Sequence, residues 1–351
     1  MKPWRFFLKD KMPSLLVLSF GYFISYIGTG IAVKYFTGKP ELGFMGLTSM
    51  EYLVYSTAFS SVFCVSIVLL NGWHKRAKLS KNERIVLLLS GACTTFIIPV
   101  STLILSLPIS VMVAMVLMRV SVIIASRLID FILEVQGLQH KEISWQENIA
   151  VFFAIGAVLV KMFMTPVGSY HFTFEATVFM AFYFIAYLIR LYIMNRAKLQ
   201  GIAGQKLDQR LYFGIEQMFA SGFLFLIGAT VYLLELLNPA STGKLGIEFS
   251  QTIANPNTHW IEASFAGTPY GFVAIFSVFL FLYPGKSATF TGVTNRLVSL
   301  IGGTASSLIL YLAFDAPFPP LEDWYALAFI LLAIIFLAWG SQKESLLHRK
   351  Q

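Results

Sequence analysis

Long apolar runs alternate with short polar stretches along the whole chain. An α-helix needs about 20 mainly apolar residues to cross the hydrocarbon core of a bilayer. The pattern predicts ten such helices, numbered here as spans 1 to 10. They are Pro13–Phe36, Met50–Leu70, Ile85–Leu107, Ile109–Leu133, Ile149–Val167, Phe174–Asn195, Leu211–Leu237, Ala266–Tyr283, Ser287–Phe314 and Trp324–Trp339. Proline or glycine separates span 3 from span 4, at Pro108, and span 8 from span 9, at Pro284-Gly285, so both pairs are predicted to be tight helical hairpins.

The composition excludes a soluble globular enzyme. Apolar residues make up 57% of the 351 positions and charged residues 13%, against roughly 45–50% and 25% in a soluble domain. The net charge of +8 would be compatible with nucleic-acid binding in a soluble protein, but here the charges lie between the apolar runs. No nucleic-acid partner is therefore predicted. Cys64 and Cys93 both fall inside apolar runs and are interpreted as small apolar residues.

The positions of the basic residues predict the orientation in the membrane. Of 26 Lys and Arg residues, 18 fall on one side of the ten-span arrangement, only Lys39 and Lys244 fall on the other, and six lie within spans. Because basic loops stay in the cytoplasm, both termini are predicted to be cytoplasmic, with an N-terminal segment 1–12 and a tail 342–351. The sequence thus predicts an all-α, multi-pass integral membrane protein. A bacterial inner membrane is favoured over an internal eukaryotic membrane.

The second half of the chain repeats features of the first half in the same order. The matched pairs are Tyr22-Phe-Ile-Ser-Tyr26 with Tyr183-Phe-Ile-Ala-Tyr187, Glu51 with Glu216, Ser110 and Arg119 with Ser287 and Arg296, and Trp145 with Trp324. Each half has five spans, an odd number, so the second half enters the membrane from the opposite side. We therefore predict two inverted-topology five-helix repeats, 13–167 and 174–341, with a non-cytoplasmic loop insertion at 238–265.

The connection between spans 4 and 5 carries a family resemblance. Glu142-Ile-Ser-Trp-Gln146 followed by Gly156 is similar to the acidic residue, Gln and Gly pattern of the exporter branch of the drug/metabolite transporter superfamily. The ten spans, cytoplasmic ends and short hairpins also resemble this superfamily, which includes nucleotide-sugar and triose-phosphate transporters. Glu142 lies farther from span 4 than in the exporter branch, and the 238–265 insertion is longer than usual. The resemblance implies a transporter fold over almost the whole chain.

Arg119 and Arg296 are the main candidates for substrate binding. Each lies eleven residues from a predicted turn, hence roughly 16 Å deep in a core about 30 Å thick. A charge at that depth costs at least about 2.5–3.5 kcal/mol. Arginine suits bidentate binding of phosphate or carboxylate, so a shared anionic substrate is one explanation. The alternatives are pairing with a protein carboxylate that locks helices together, or gating.

Tyrosines in spans 1 and 6 extend this candidate site. Tyr22 and Tyr26, and likewise Tyr183 and Tyr187, share a helix face at i, i+4 spacing. Their hydroxyls are predicted to line a cavity and bind a polar ligand. The alternative is ordinary aromatic packing between helices.

Five other charged residues are candidates for coupling or gating: Glu51, Glu216, Asp130, Arg127 and Arg190. Glu51 and Glu216 lie near the starts of spans 2 and 7, where a carboxylate either carries protons or pairs with a basic residue such as Arg190. Arg127 and Asp130 are spaced i, i+3, which predicts a pair on one helix face. That pair is either structural or a cytoplasmic gate.

Signatures of enzymes are absent from the sequence. The five histidines have no metal-ligand spacing, no catalytic constellation lies within the spans, and no phosphate-binding loop is found. We therefore predict no enzyme activity, no metal and no cofactor. The favoured function is secondary active transport of a small polar or amphiphilic, anionic metabolite by alternating access, by a monomer or homodimer in contact with membrane lipid. A flippase for a lipid-linked substrate and a non-transporting membrane scaffold or receptor are the alternatives.

Overall fold

The computed structural model describes residues 13–75, 79–106, 111–139, 144–164, 174–201, 207–239, 241–314, 318–319 and 321–348. Within them the secondary structure is helical and contains no strand, so the predicted all-α fold is confirmed. The α-helices are α1 Leu15–Thr37, α2 Ser49–Leu70, α3 Lys81–Ser106, α4 Val111–Val135, α5 Trp145–Met164, α6 Phe174–Gln200, α7 Gln209–Leu237, α8 Gly243–Ala254, α9 Trp260–Phe265, α10 Thr268–Phe281, α11 Ala288–Phe314 and α12 Leu321–His348.

Seven helical segments within the described ranges are long and apolar enough to cross a membrane. They lie in α1, α2, α6, α7, α11 and α12 and in Trp260–Phe281, which combines α9 with α10. The chain is therefore compatible with a multi-pass membrane protein. The three remaining long helices, α3, α4 and α5, have 26, 25 and 20 residues, or roughly 39, 37 and 30 Å at 1.5 Å per residue.

Most helices begin and end within a few residues of the predicted apolar runs, with two clear differences. The 238–265 insertion is not a plain loop, because it contains α8 and α9. Helix α12 continues to His348, into the predicted tail. The predicted hairpin turn at Pro108 and the N-terminal segment 1–12 lie outside the described residues.

The helices pack in pairs that relate the two halves of the chain. Helix α1 packs against α10 and α11, and α6 packs against α3 and α4. Helix α3 also packs against α7, as α10 does against α2. Helices α4 and α11, α2 and α7, and α5 and α12 pack on each other directly. Most long-range packing thus joins an element of the first half to an element of the second.

Helices α5 and α12 form a cluster apart from the main core. Ala150, Ala154 and Ala157 of α5 are fully buried in this cluster, to which α12 contributes Ala326 and Ala333 and to which α4 and α11 also contribute. Small residues on both faces let two helix backbones approach closely. This contact joins the last helix of the first half to the last helix of the chain.

Candidate functional site

Arg296 of α11 lies against a pair of tyrosines of α6. Its Nη2 donates a hydrogen bond to the hydroxyl of Tyr187 at 3.0 Å, and its Cζ lies 5.3 Å from the centroid of the same ring. The rings of Tyr183 and Tyr187 pack with centroids 4.9 Å apart. Both tyrosines are buried. The tyrosine face predicted for span 6 therefore meets the predicted arginine of span 9.

Asn295, the residue before Arg296, contacts Tyr22 of α1, the counterpart of Tyr183 in the sequence repeat. The hydroxyl of Tyr22 donates to Oδ1 of Asn295 at 3.3 Å, and Nδ2 of Asn295 donates to Oγ of Ser277 at 3.0 Å. Tyr22 is buried, and its ring lies 5.8 Å from that of Tyr26. Two consecutive residues of α11 therefore join α1 to α6.

Arg119 of α4 lies beside α11, the helix that carries Arg296. It is 9% exposed, and both Arg119 and Arg296 interact electrostatically with Tyr22. A Cβ added at Gly303 of α11 would lie 3.8 Å from Nη2 of Arg119. Each arginine is eight residues past the first residue of its helix, about 12 Å along the axis. We call Tyr22, Tyr26, Tyr183, Tyr187, Arg119, Arg296 and Asn295 the tyrosine–arginine cluster.

Neither arginine of the cluster is neutralised by a carboxylate in the part of the chain that the structure describes. Glu216 pairs with Arg190 and Glu248 with Lys244, and neither Arg119 nor Arg296 has such a partner among the described residues. The Nε atom of Arg296 is buried and has no hydrogen-bond acceptor among the described residues. A buried, unsatisfied cationic donor is costly, so an anionic oxygen at this position would be strongly favoured. The alternative in which protein carboxylates pair with these arginines is not observed among the described residues.

Glu216 is paired with Arg190. The guanidinium donates to both carboxylate oxygens, from Nε at 2.8 Å and from Nη2 at 3.2 Å. Ser90 and Thr94 of α3 donate to Oε1 of Glu216 at 2.6 and 3.1 Å. The pair is buried, with side-chain exposures of 8% and 2%. The geometry thus matches the pairing alternative for Glu216, and it ties α3, α6 and α7 together.

Glu51, the sequence counterpart of Glu216, has a different environment. Its side chain completes a capping box with Thr48 at the start of α2 and accepts from Nδ2 of Asn257 at 3.3 Å. On the same helix, the hydroxyl of Tyr55 donates to the carbonyl of Thr252 and accepts from the backbone N–H of Asn257. Glu51 and Tyr55 therefore hold the α8–α9 insertion against the start of α2.

Asp130 binds the first turn of α11 instead of the predicted partner Arg127. Its two oxygens accept backbone hydrogen bonds from Ala288 at 2.8 Å and Thr289 at 2.6 Å. The first N–H groups of a helix lack partners within the helix and carry partial positive charge, so they attract a buried carboxylate. The predicted i, i+3 pair is not formed, and Nη1 of Arg127 is buried without a hydrogen-bond partner.

A second carboxylate supports the same helix terminus. Oγ of Ser287 donates to Oε2 of Glu147 at 2.8 Å and accepts from the backbone N–H of Phe290 at 2.9 Å. Asp130 of α4 and Glu147 of α5 thereby fasten the start of α11. We call Asp130, Glu147 and Ser287 the inner lock. They join α4 and α5 to the start of α11, and the charge pattern predicts this end of the helices to be cytoplasmic.

The sequence interpretation missed Asn295 and Glu147 as members of these sites. Asn295 could have been found, because an amide inside a membrane span needs an internal partner and this one precedes Arg296 directly. Glu147 gives no comparable signal, because an acidic residue in the first turn of a helix is common. Among the described residues, no group of three or more His, Cys, Asp or Glu side chains is placed to hold a metal ion.

Comparison with known proteins identifies the fold and not a family. No protein-family model matches the chain, and no curated protein matches it. Among solved structures, a chain described as "Crystal structure of protein" is similar to this one, with a TM-score of 0.61 and 12% sequence identity. The similarity covers 94% of this chain and 98% of the other. The fold therefore has a solved counterpart over nearly its whole length.

Proposed function

We propose that the protein is a secondary transporter of the drug/metabolite type, in a bacterial inner membrane, that moves a small anionic metabolite by alternating access. In this proposal α1 to α7 and α10 to α12 are the ten spans, and the two halves are inverted five-helix repeats. The helix packing supports the repeat. Under the repeat, span 1 corresponds to span 6, span 8 to span 3 and span 9 to span 4. The contacts of α1 with α10 and α11 (span 1 with spans 8 and 9) therefore correspond to those of α6 with α3 and α4 (span 6 with spans 3 and 4). Three further contacts each join a span to its own counterpart in the other half. They are those of α4 with α11, α2 with α7, and α5 with α12.

The observation that carries the anionic substrate is the buried Nε of Arg296, for which the described part of the chain offers no hydrogen-bond acceptor. A carboxylate or phosphate of the substrate would accept from this atom and would also neutralise Arg119 nearby. Tyr22 and Tyr187 would contact the rest of the molecule. A membrane scaffold would be expected to satisfy both guanidiniums with protein carboxylates, which the described residues do not provide. Transport is therefore favoured over the scaffold alternative.

Alternating access requires the barrier on one side of the cluster to open while the other closes. The inner lock closes the predicted cytoplasmic side by joining α4 and α5 to the start of α11. On the other side, Nζ of Lys34 donates to Oγ of Ser307 at 2.7 Å, which joins α1 to the far end of α11. Helix α11 carries Arg296 between these two contacts. We infer that α11 is the element against which both gates act.

The test is ligand-induced stabilisation of the purified full chain. Carboxylates, phosphorylated sugars, nucleotide sugars, amino acids and lipid phosphates are each added while the melting temperature is measured. We expect an anion to raise Tm, and Arg119→Ala and Arg296→Ala to weaken its binding at least tenfold, since a hydrogen bond to a charged group contributes about 1.5–3 kcal/mol. Arg196→Ala is the matched control, because Arg196 is exposed and its side chain bonds Gln200.

The same measurement can overturn the proposal. If the effective ligand stabilises Arg119→Ala and Arg296→Ala as strongly as the unmodified protein, the anion site is wrong. If only lipid phosphates stabilise it, and both arginine variants lose that effect, a flippase replaces the metabolite transporter. Uptake into proteoliposomes with the same variants then measures transport itself.

A further inference from the structure

A cavity outside the tyrosine–arginine cluster lies between the loop after α2, the first turn of α3 and the second and third turns of α7. Its volume is about 410 Å³, and its lining residues are His74, Leu79, Arg84, Ile215, Met218 and Phe219. Trp73 is fully buried beside Phe213 and Phe279, which fixes the start of the loop. The cavity is therefore formed by well-packed parts of the fold.

The lining of this cavity has a cationic part and an apolar part. Arg84 lies exposed in the first turn of α3, and Nδ1 of His74 is buried with no hydrogen-bond partner in the described ranges. Leu79, Met218 and Phe219 supply apolar surface beside them. A free inorganic anion would use only the cationic part. A molecule with a phosphate next to hydrocarbon would use both.

The position of the cavity along the helices matches the headgroup level of one leaflet. The segment from Lys75 to Arg84 contains five basic residues, the densest basic loop of the chain. The positive-inside rule places this loop in the cytoplasm. Directly above it, Ile85, Leu88 and Leu89 of α3 are exposed, as lipid-facing residues would be. Met218, which lines the cavity, is also 37% exposed, so the cavity is open to lipid.

We propose that this cavity binds an anionic phospholipid of the cytoplasmic leaflet. Arg84 and His74 bind the phosphodiester, and Leu79, Met218 and Phe219 contact the glycerol and the first carbons of the acyl chains. Basic pockets between membrane helices on the cytoplasmic side are suited to anionic headgroups. The charge of the surrounding loop favours an anionic lipid over a zwitterionic one.

Binding at this site would support the α3–α7 contact. Ile215 directly precedes Glu216 in the sequence and Phe219 follows it by three residues. Glu216 carries the buried ion pair with Arg190. Gly91 of α3 packs so closely on α7 that an added Cβ would lie 2.7 Å from Cβ of Phe219. A lipid held against Phe219 therefore braces the helix that positions Glu216. This effect does not depend on the transported substrate.

The test uses the full chain in nanodiscs of phosphatidylcholine, with and without phosphatidylglycerol. We expect phosphatidylglycerol to raise Tm of the unmodified protein and of Arg196→Ala, and to lose at least half of that effect in Arg84→Ala. Arg84→Lys keeps the charge and is expected to keep most of the response. It also provides a folded variant if Arg84→Ala does not fold. Native mass spectrometry of the same proteins counts the phosphatidylglycerol molecules that stay bound.

Three results would overturn the lipid site. The first is an equal rise of Tm in Arg84→Ala and the unmodified protein. The second is an equal rise with inorganic phosphate alone in detergent, which would indicate a simple anion site. The third is no difference between phosphatidylglycerol and pure phosphatidylcholine. Failure of the substrate proposal would leave all three comparisons unchanged, because none of them uses a substrate.

Discussion

Single residues in this protein differ in whether their buried charge is matched by another charge. Glu216 is matched by Arg190 and accepts further bonds from Ser90 and Thr94, whereas Arg119 and Arg296 have no carboxylate partner among the described residues. A matched pair contributes to a unique structure, while an unmatched cation is suited to a ligand. The two kinds of site should therefore respond differently to substitution.

Glu216→Gln is expected to destabilise the protein by about 3–5 kcal/mol, because it leaves the buried Arg190 without its counter-charge. The measurement is chemical denaturation of the purified protein in detergent. Glu248→Gln is the matched control, since Glu248 and Lys244 are 3.9 Å apart and largely exposed, and such pairs contribute little. Equal stability of both variants would contradict a structural role for the Glu216 pair.

At the level of helices, close approaches at glycine determine which substitutions the packing tolerates. A Cβ at Gly91 of α3 would lie 2.7 Å from Cβ of Phe219 and 3.0 Å from the carbonyl oxygen of Glu216 in α7. At Gly222, also on α7, nothing lies within 4 Å of an added Cβ. A substitution at Gly91 therefore tests the packing of α3 on α7, and a substitution at Gly222 tests helix propensity.

Gly91→Ala is expected to lower stability by about 1–3 kcal/mol, because the backbone of α7 must move away. Gly222→Ala should leave stability unchanged or raise it by up to about 1 kcal/mol, since alanine is the better helix former. Thermal unfolding of both variants in the same detergent tests this. A tolerated alanine at position 91 would show that α3 and α7 are not in tight contact.

The sequence could predict the helices and only some of their side-chain partners. Apolar runs of span length identify helices because every backbone group in a bilayer must bond within its own segment. Arg296 could be identified as a candidate in a similar way, because a charged residue is unusual within an apolar run. It failed for Asp130, whose partners are backbone N–H groups 158 residues away in the chain. Local spacing suggested Arg127, but only the tertiary packing of α4 on α11 reveals the actual contact.

For the whole molecule, the orientation predicted from basic residues can be tested with thiol labelling. Both native cysteines are buried, so the background reaction is low. Lys244→Cys lies in the exposed insertion, and Asn82→Cys lies exposed at the start of α3. In intact cells a membrane-impermeant maleimide should label position 244 directly and position 82 only after permeabilisation. The reverse pattern would invert the topology and would move the lipid site to the other leaflet.

The contact between α5 and α12 has a consequence for biosynthesis. Helix α5 packs against a helix whose first residue is Leu321, roughly 160 residues later in the chain. At about 5–20 residues per second, α5 of the proposed ten-span protein would wait in the membrane for roughly 8 to 30 s before that partner emerges from the ribosome. During this interval its small-residue face is open to lipid, other proteins or the insertion machinery. Completion of the fold is thus coupled to the arrival of the last helix, and a chain that ends after α11 would leave α5 a permanent target for quality control.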